Sequence, residues 1–389
     1  MENNFYLPRQ TEASVLQAAA YQPAVVLVGP RQVGKTSLTH AIRNQIDKPS
    51  IYLDLERIAH LNQLNDVVAF ADRHRDHLVI LDEVQHKPDL FPQLRSVIDE
   101  YRQPGRFLLL GSASPDLIRD TSESLAGRVS YLELSPLNYE ECRGETDFRT
   151  LWSRGGFPRS VLAGDEATSL AWRENFIRTY IERELPRLGF PANPIVSRRL
   201  WQMLAHWDGQ LLNKQKLANS LDVTTNTVRR YLDFLEQAFL IRRLPPYFVN
   251  IGKRLVKSPK VYIRDSGLLH ALLAIPDWTS LSGHPIVGAS WENFVIEQLV
   301  SQRPSWADFY FYRTQNGAEI DLIITKAGLP YAAVEMKNSV RPSVSKGFHS
   351  AVADLNVARR FIAAPVETGY SLQSGIEVVG PATLSSVFV

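Results

Sequence analysis

Nine consecutive residues constrain this chain more than any others: Gly29-Pro30-Arg31-Gln32-Val33-Gly34-Lys35-Thr36-Ser37. They follow a strand-like apolar run, Ala24 to Val28, and open a stretch with helical spacing. A backbone that turns this tightly and points its N–H groups inward needs Gly29 and Gly34, because a side chain would intrude on a bound phosphate. Lys35 then reaches the β- and γ-phosphates, Thr36 offers a hydroxyl to Mg²⁺, and the N-terminus of the following helix adds its dipole. The pattern predicts an ATP and Mg²⁺ site on a strand-loop-helix unit, with all nine residues at the nucleotide.

The rest of the N-terminal region is consistent with that unit. Short apolar runs (Ile51 to Leu55, Leu78 to Leu81, Arg106 to Leu110, Ser130 to Leu134) alternate with helical patterns, which predicts a parallel sheet covered on both faces. Ligands of such sheets sit at the carboxyl edge, where the third run delivers Asp82 and Glu83. Asp82 is expected to hold the magnesium with Thr36, and Glu83 to orient and deprotonate the attacking water. The fourth run ends in Gly111-Ser112-Ala113-Ser114, where the Ser112 hydroxyl is the candidate for contact with the γ-phosphate or the water; a turn or cap is the other reading.

Composition excludes several classes of protein. The 389 residues, 44% hydrophobic and 22% charged, suffice for two or three domains, and no apolar run approaches the length of a bilayer span. The opening MENNFYLPRQ lacks a basic start and an apolar stretch, and Cys142 is the single cysteine, so a reducing cytoplasmic setting is expected. The net charge is only +2, yet residues 195–260 hold twelve Lys and Arg against four Asp and Glu. That local +8 leaves −6 for the remainder, an asymmetry expected where one module meets a polyanion.

Within the basic stretch, Leu217 to Leu221 followed by Asp222-Val223-Thr224-Thr225-Asn226 has the cadence of a helix-turn-helix. Val228, Leu232, Leu235 and Phe239 would form its buried stripe, with Thr224 or Thr225 as the cap. Arg229 and Arg230 fall on the opposite face, and Lys253, Arg254, Lys257 and Lys260 follow in a segment punctuated by Pro and Gly. The layout resembles a winged helix, which implies DNA contact by Arg229, Arg230, Lys253 and Arg254; subunit packing is the alternative use of such a module.

The C-terminal region carries a second constellation. Glu292 lies on the flank of a helical apolar stripe, an acid in need of a partner. A hairpin turn at Gln315-Asn316-Gly317 precedes Glu319-Ile320-Asp321, and Glu335-Met336-Lys337 lies on the next strand. Strand period two puts Glu319 with Asp321, and Glu335 with Lys337. The order resembles the core of the PD-(D/E)xK nucleases. It implies a divalent metal held by Asp321, Glu335 and Glu292, with Lys337 steadying a nucleophilic water. A salt-bridge cluster is the other reading, and no Gln-x-x-x-Tyr follows Lys337, so Lys346 or His349 would have to contact DNA instead.

G-P-R-Q-V-G-K-T, L-D-E-V-Q, G-S-A-S, L-A-G-R, G-G-F-P, K-S-P-K-V-Y-I-R-D-S-G-L, W-E-N-F-V and E-I-D with E-x-K follow one another along the chain. This ordered set resembles the bacterial and archaeal AAA+-like ATPases with a C-terminal restriction-endonuclease-like domain of unknown function. The resemblance implies an α/β protein: an ATPase core over residues 1–139, a helical lid over 140–191, a winged helix over 192–262 and a PD-(D/E)xK-like α/β domain over 263–389. It also implies a homo-oligomer in which Arg128, just before the fifth core strand, serves as an arginine finger; capping its own helix is the alternative. The expected function is a Mg²⁺-dependent ATPase coupled to DNA binding, with metal-dependent DNA cleavage if the C-terminal site holds metal. Alternatives are an ATP-switched DNA-binding protein and a signalling ATPase whose C-terminal domain is an interaction module.

Overall fold

The structure, a computed structural model, describes residues 6–112, 125–248, 255–372 and 375–389; of Ser112 it describes the backbone alone. It separates into two units, one formed by Met1–Leu137 with Gln237–Phe239 and the other by Asn138–Glu236 with Leu240–Val389.

The first unit is an α/β layer structure around a five-stranded parallel sheet. Its strands are β1 (Ala24–Gly29), β2 (Ser50–Asp54), β3 (Leu78–Asp82), β4 (Phe107–Ser112) and β5 (Val129–Glu133), in the order β2-β3-β4-β1-β5. β1 and β3 are buried along their whole length, as uninterrupted apolar runs covered on both faces must be. Alternate residues of β1 feed different cores. Val25 and Leu27 pack with Val15, Leu38 and Ile42 of the flanking helices. Val26 and Val28 join Leu81 and Leu109 in the core that receives Phe91 and Leu94 from the helix Leu90–Glu100.

In the second unit, helices between Tyr139 and Leu221 lead to the helix Thr225–Gln237 and a small antiparallel sheet of β6 (Gln210–Leu211), β8 (Lys260–Ile263) and β7 (Ile241–Leu244), with β8 in the middle. The helix Lys214–Leu221 ends at Asp222, which adopts a left-handed conformation, and the Thr224 hydroxyl caps the next helix by accepting from the Thr227 N–H at 3.1 Å. Val228, Leu232 and Leu235 are buried along it as expected. Phe239 is not on that stripe: the helix stops at Gln237, and Phe239 takes a positive φ of 59°.

The C-terminal part of this unit is a six-stranded mixed sheet, β13-β14-β12-β11-β10-β9. β9 (Ala307–Arg313), β10 (Glu319–Lys326) and β11 (Leu329–Met336) form an antiparallel meander. The helix Lys346–Leu355 crosses over to β12 (Arg359–Ala363), which runs parallel to β11; β13 (Tyr370–Ser371) and β14 (Glu377–Val379) complete the sheet. The expected turn closes β9 on β10, with the Thr314 N–H donating to the Ala318 carbonyl at 2.9 Å and Gly317 at φ 87°. The segments flanking residues 249–254 lie along β9: the Tyr247 N–H reaches the Phe311 carbonyl and the Val256 N–H that of Arg313. Among the described residues, no helix is long and apolar enough to cross a membrane.

Candidate functional site

The phosphate loop joins β1 to the helix Lys35–Ile42 at the carboxyl edge of the first sheet. Gly29 is required by close approach: a Cβ there would collide with the Leu134 carbonyl oxygen. Gly34 caps the helix at φ 104°, a conformation rarely open to L side chains, and Gln32 also turns through a positive φ. Lys35 is 93% buried, and its ammonium donates to the carbonyls of Gly29 and Pro30, each at 3.0 Å, so it lies inside the loop it would use to hold phosphate. Burial lowers its pKa to about 8, against the pull of the Glu83 and Asp82 carboxylates. Arg31 donates to Glu56 at 3.1 Å.

β3 brings the acids to the same edge. The Thr36 hydroxyl donates to Asp82 Oδ2 at 2.7 Å, and a second donor joins it there, the Tyr52 hydroxyl at 2.6 Å. Burial pushes the Asp82 carboxyl up, while these hydrogen bonds pull it down. A hydroxyl beside a buried carboxylate is a hard oxygen donor set that suits Mg²⁺. Glu83 leaves the strand in a left-handed conformation (φ 55°, ψ 47°), its N–H on Asp82 Oδ1 and its carboxylate accepting from the Gln85 side chain.

Two residues of this site were not singled out in the sequence. Tyr52 is brought to Asp82 because β2 lies beside β3, a pairing no local pattern reveals. Arg9 reaches back from the N-terminal segment to donate to the Val33 carbonyl at 3.1 Å and the Ser135 carbonyl at 2.6 Å, bracing the loop from below. Arg128 forms a two-pronged pair with Asp99 at 2.7 and 2.8 Å and also donates to the Ala126 carbonyl. The Ser112 side chain lies outside the described residues.

In the second unit, two cations of the basic stretch, Arg242 and Lys260, are met by acids distant in the chain, and Arg243 by acids of the stretch itself. Arg242 pairs with Glu297, Arg243 with Asp233 and Glu236, and Lys260 with acids of the C-terminal sheet domain. Lys260 therefore does not belong to an exposed wing; it is 97% buried. Arg229 and Arg230 are exposed on the helix Thr225–Gln237, Arg229 with Asp233 at 3.8 Å. Lys253 and Arg254 lie outside the described residues.

The C-terminal carboxylates come together only in part. Glu292 and Asp321 share one neighbour, the Lys260 ammonium, at 2.9 and 3.7 Å, with Glu319 at 3.2 Å. Asp321 Oδ2 also accepts from the Met336 N–H at 2.9 Å. Glu335 turns instead to Lys337 at 2.8 Å and to the Ser345 N–H at 3.3 Å. Among the described residues, no group of three or more His, Cys, Asp or Glu side chains is arranged to hold a metal ion. The expected ligand set of Glu292, Asp321 and Glu335 is not brought together as one group here: a lysine from β8 stands among the acids, and Glu335 is engaged with Lys337 and Ser345.

Residues 21–143 match a family model described as an AAA domain. Taken with the loop and the acids at its sheet edge, this makes the first unit a P-loop ATPase domain of the AAA type. Residues 145–279 and 287–384 match two domains of unknown function, DUF8612 and DUF4143. The chain belongs to the family of the uncharacterized protein Rv2008c of Mycobacterium tuberculosis, to which it is 44% identical over 375 residues, 96% of this chain and 83% of the relative. The uncharacterized protein MJ1544 of Methanocaldococcus jannaschii is 23% identical over 85% of this chain and 79% of its own length. Among solved structures, the Walker-type ATPase paby2304 of Pyrococcus abyssi aligns with a TM-score of 0.49 and 14% identity, over 69% of this chain and 96% of that one.

Proposed function

We propose that this protein hydrolyses ATP in the cytoplasm as a homo-oligomer and couples turnover to DNA held by the helix Thr225–Gln237. The observation that carries the reading is the convergence of Lys35, Thr36, Asp82 and Glu83 at one sheet edge, with Thr36 already hydrogen-bonded to Asp82. Lys35 exchanges its two loop carbonyls for phosphate oxygens, the loop N–H groups of residues 29–37 cradle the remainder, and the helix dipole favours the negative charge. Thr36 and Asp82 would hold Mg²⁺, which neutralises phosphate charge when bound. Glu83, released from Gln85, orients the attacking water and accepts its proton. Ser112 is assigned to the γ-phosphate. Arg128, freed from Asp99, is assigned to the nucleotide of a neighbouring subunit, where a finger supplies charge in the transition state.

The DNA part rests on the capped helix Thr225–Gln237, whose exposed face carries Asn226, Arg229 and Arg230, and the three-stranded sheet of the same region supports reading it as a winged helix. Of the two readings of the C-terminal domain, interaction module and nuclease, the buried Lys260 among its acids favours the first. The test is ATP turnover with and without duplex and single-stranded DNA, in Mg²⁺ and in Mn²⁺. Lys35→Ala should lose nucleotide binding, Glu83→Gln should bind without turnover, and DNA should raise the wild-type rate without being cut. Turnover by Glu83→Gln at the wild-type rate removes Glu83 as base; indifference to every DNA moves the reading to a protein-directed ATPase.

A further inference from the structure

The resemblance to PD-(D/E)xK nucleases implies a divalent metal at the C-terminal acids, and the residues present do not fit one. Their disagreement is specific. Lys260 and Tyr262 lie two apart on β8 and so face the same way, and both donate to Glu292 Oε1, the ammonium at 2.9 Å and the hydroxyl at 2.5 Å. The same ammonium lies 3.2 Å from Glu319 and 3.7 Å from Asp321, both on β10, and 5.6 Å from the centre of the Phe311 ring. Arg313 approaches Glu319 from its other side at 3.5 Å.

The position of Lys260 is set by backbone pairing. β8 is the middle strand of its sheet, and Lys260 is registered against Leu211 on one side and Leu244 on the other. Its side chain therefore cannot leave the acids by a shift of a free loop. Burial alone would depress the ammonium, but Glu292, Asp321 and Glu319 outweigh it and hold Lys260 protonated above the ordinary lysine value. Burial pushes the Glu292 carboxyl the other way, upward. Its two donors, from Lys260 and Tyr262, meet on one oxygen.

We infer that Lys260 stands in for the metal: its ammonium is the resident cation of Glu292, Glu319 and Asp321, and it fastens β8 to the C-terminal domain while keeping divalent ions out. The helix of Glu292 and the strand of Glu319 and Asp321 are thereby tied to the small sheet by an ionic latch, and Lys337, occupied with Glu335, has no metal-bound water to steady.

The inference is tested on the full chain without nucleotide, by calorimetry with Mn²⁺ on wild type, Lys260→Met and Lys260→Met/Asp321→Asn. Methionine keeps the length of the stem and removes the charge. Wild type should show no Mn²⁺ uptake that depends on Asp321, checked with the single Asp321→Asn variant. Lys260→Met should take up one Mn²⁺, and the double variant should lose it. If Lys260→Met does not fold alone, refolding with Mn²⁺ decides: recovery of a cooperative melt supports replacement of one cation by the other, and failure with and without metal overturns it. Asp321-dependent Mn²⁺ binding by the wild type overturns the inference, as does a folded Lys260→Met that binds none. ATP turnover plays no part in these readouts, so they stand apart from the proposed function.

Discussion

Lys35 must be protonated to hold phosphate, yet its burial in the loop brings its pKa down to about 8. A bound triphosphate restores the charge, so nucleotide binding takes up a proton wherever free Lys35 has lost its own. The sign follows directly: affinity is flat well below pH 8 and falls above it. With a pKa near 8, about nine tenths of Lys35 is charged at pH 7 and about one tenth at pH 9, so affinity should fall about tenfold over that interval. Arginines stay charged throughout this range, and the nucleotide's terminal phosphate gains negative charge as pH rises, which would strengthen binding, so neither mimics a fall in affinity. The assay is titration of a fluorescent ADP analogue at fixed ionic strength between pH 6.5 and about 9.5. Glu83→Gln supplies a second signature. Glu83 is the larger of the two attractions raising the Lys35 pKa, so its removal should move the fall to lower pH. A pH-independent affinity, or a fall displaced upward in Glu83→Gln, would refute the reasoning.

Reversal of an exposed cation, Arg230→Glu, should weaken duplex binding across sequences and reduce the log–log salt slope by about one, read by anisotropy at several salt concentrations; an unchanged slope assigns the helix to packing. Gly155→Ala places a Cβ against the Asp265 carboxylate at φ 76°, where Asp265 accepts from the Gly156 and Leu268 N–H groups at 2.8 Å each. The conformational cost and the loss of a buried acceptor together should destabilise the second unit by about 3 kcal/mol in urea unfolding; a change below about 0.5 kcal/mol contradicts that packing. Mixing Arg128→Ala with Glu83→Gln subunits should restore partial ATP turnover if the arginine acts across subunits, and additive inactivity would confine Arg128 to its pair with Asp99.

What could be read from the chain alone was whatever is enforced between near neighbours. Gly29, Gly34, Lys35 and Thr36 act within nine residues, so their turn and their chemistry are legible without knowing what surrounds them. The apolar runs of β1 and β3 are legible for the same reason, since a strand covered on both faces must be apolar throughout. The turn at Thr314 to Ala318 and the cap at Thr224 are local as well. Tertiary structure decided which strand lies beside which. That choice brings Tyr52 to Asp82, Arg9 to the back of the loop, and Arg242 to Glu297. It also moves Lys260 from a presumed basic surface to a buried place among acids that begin 32 residues further on. Charge counted along a window cannot see such partners, because electrostatic energy depends on distance and burial in space, and both are fixed only when the sheets have formed.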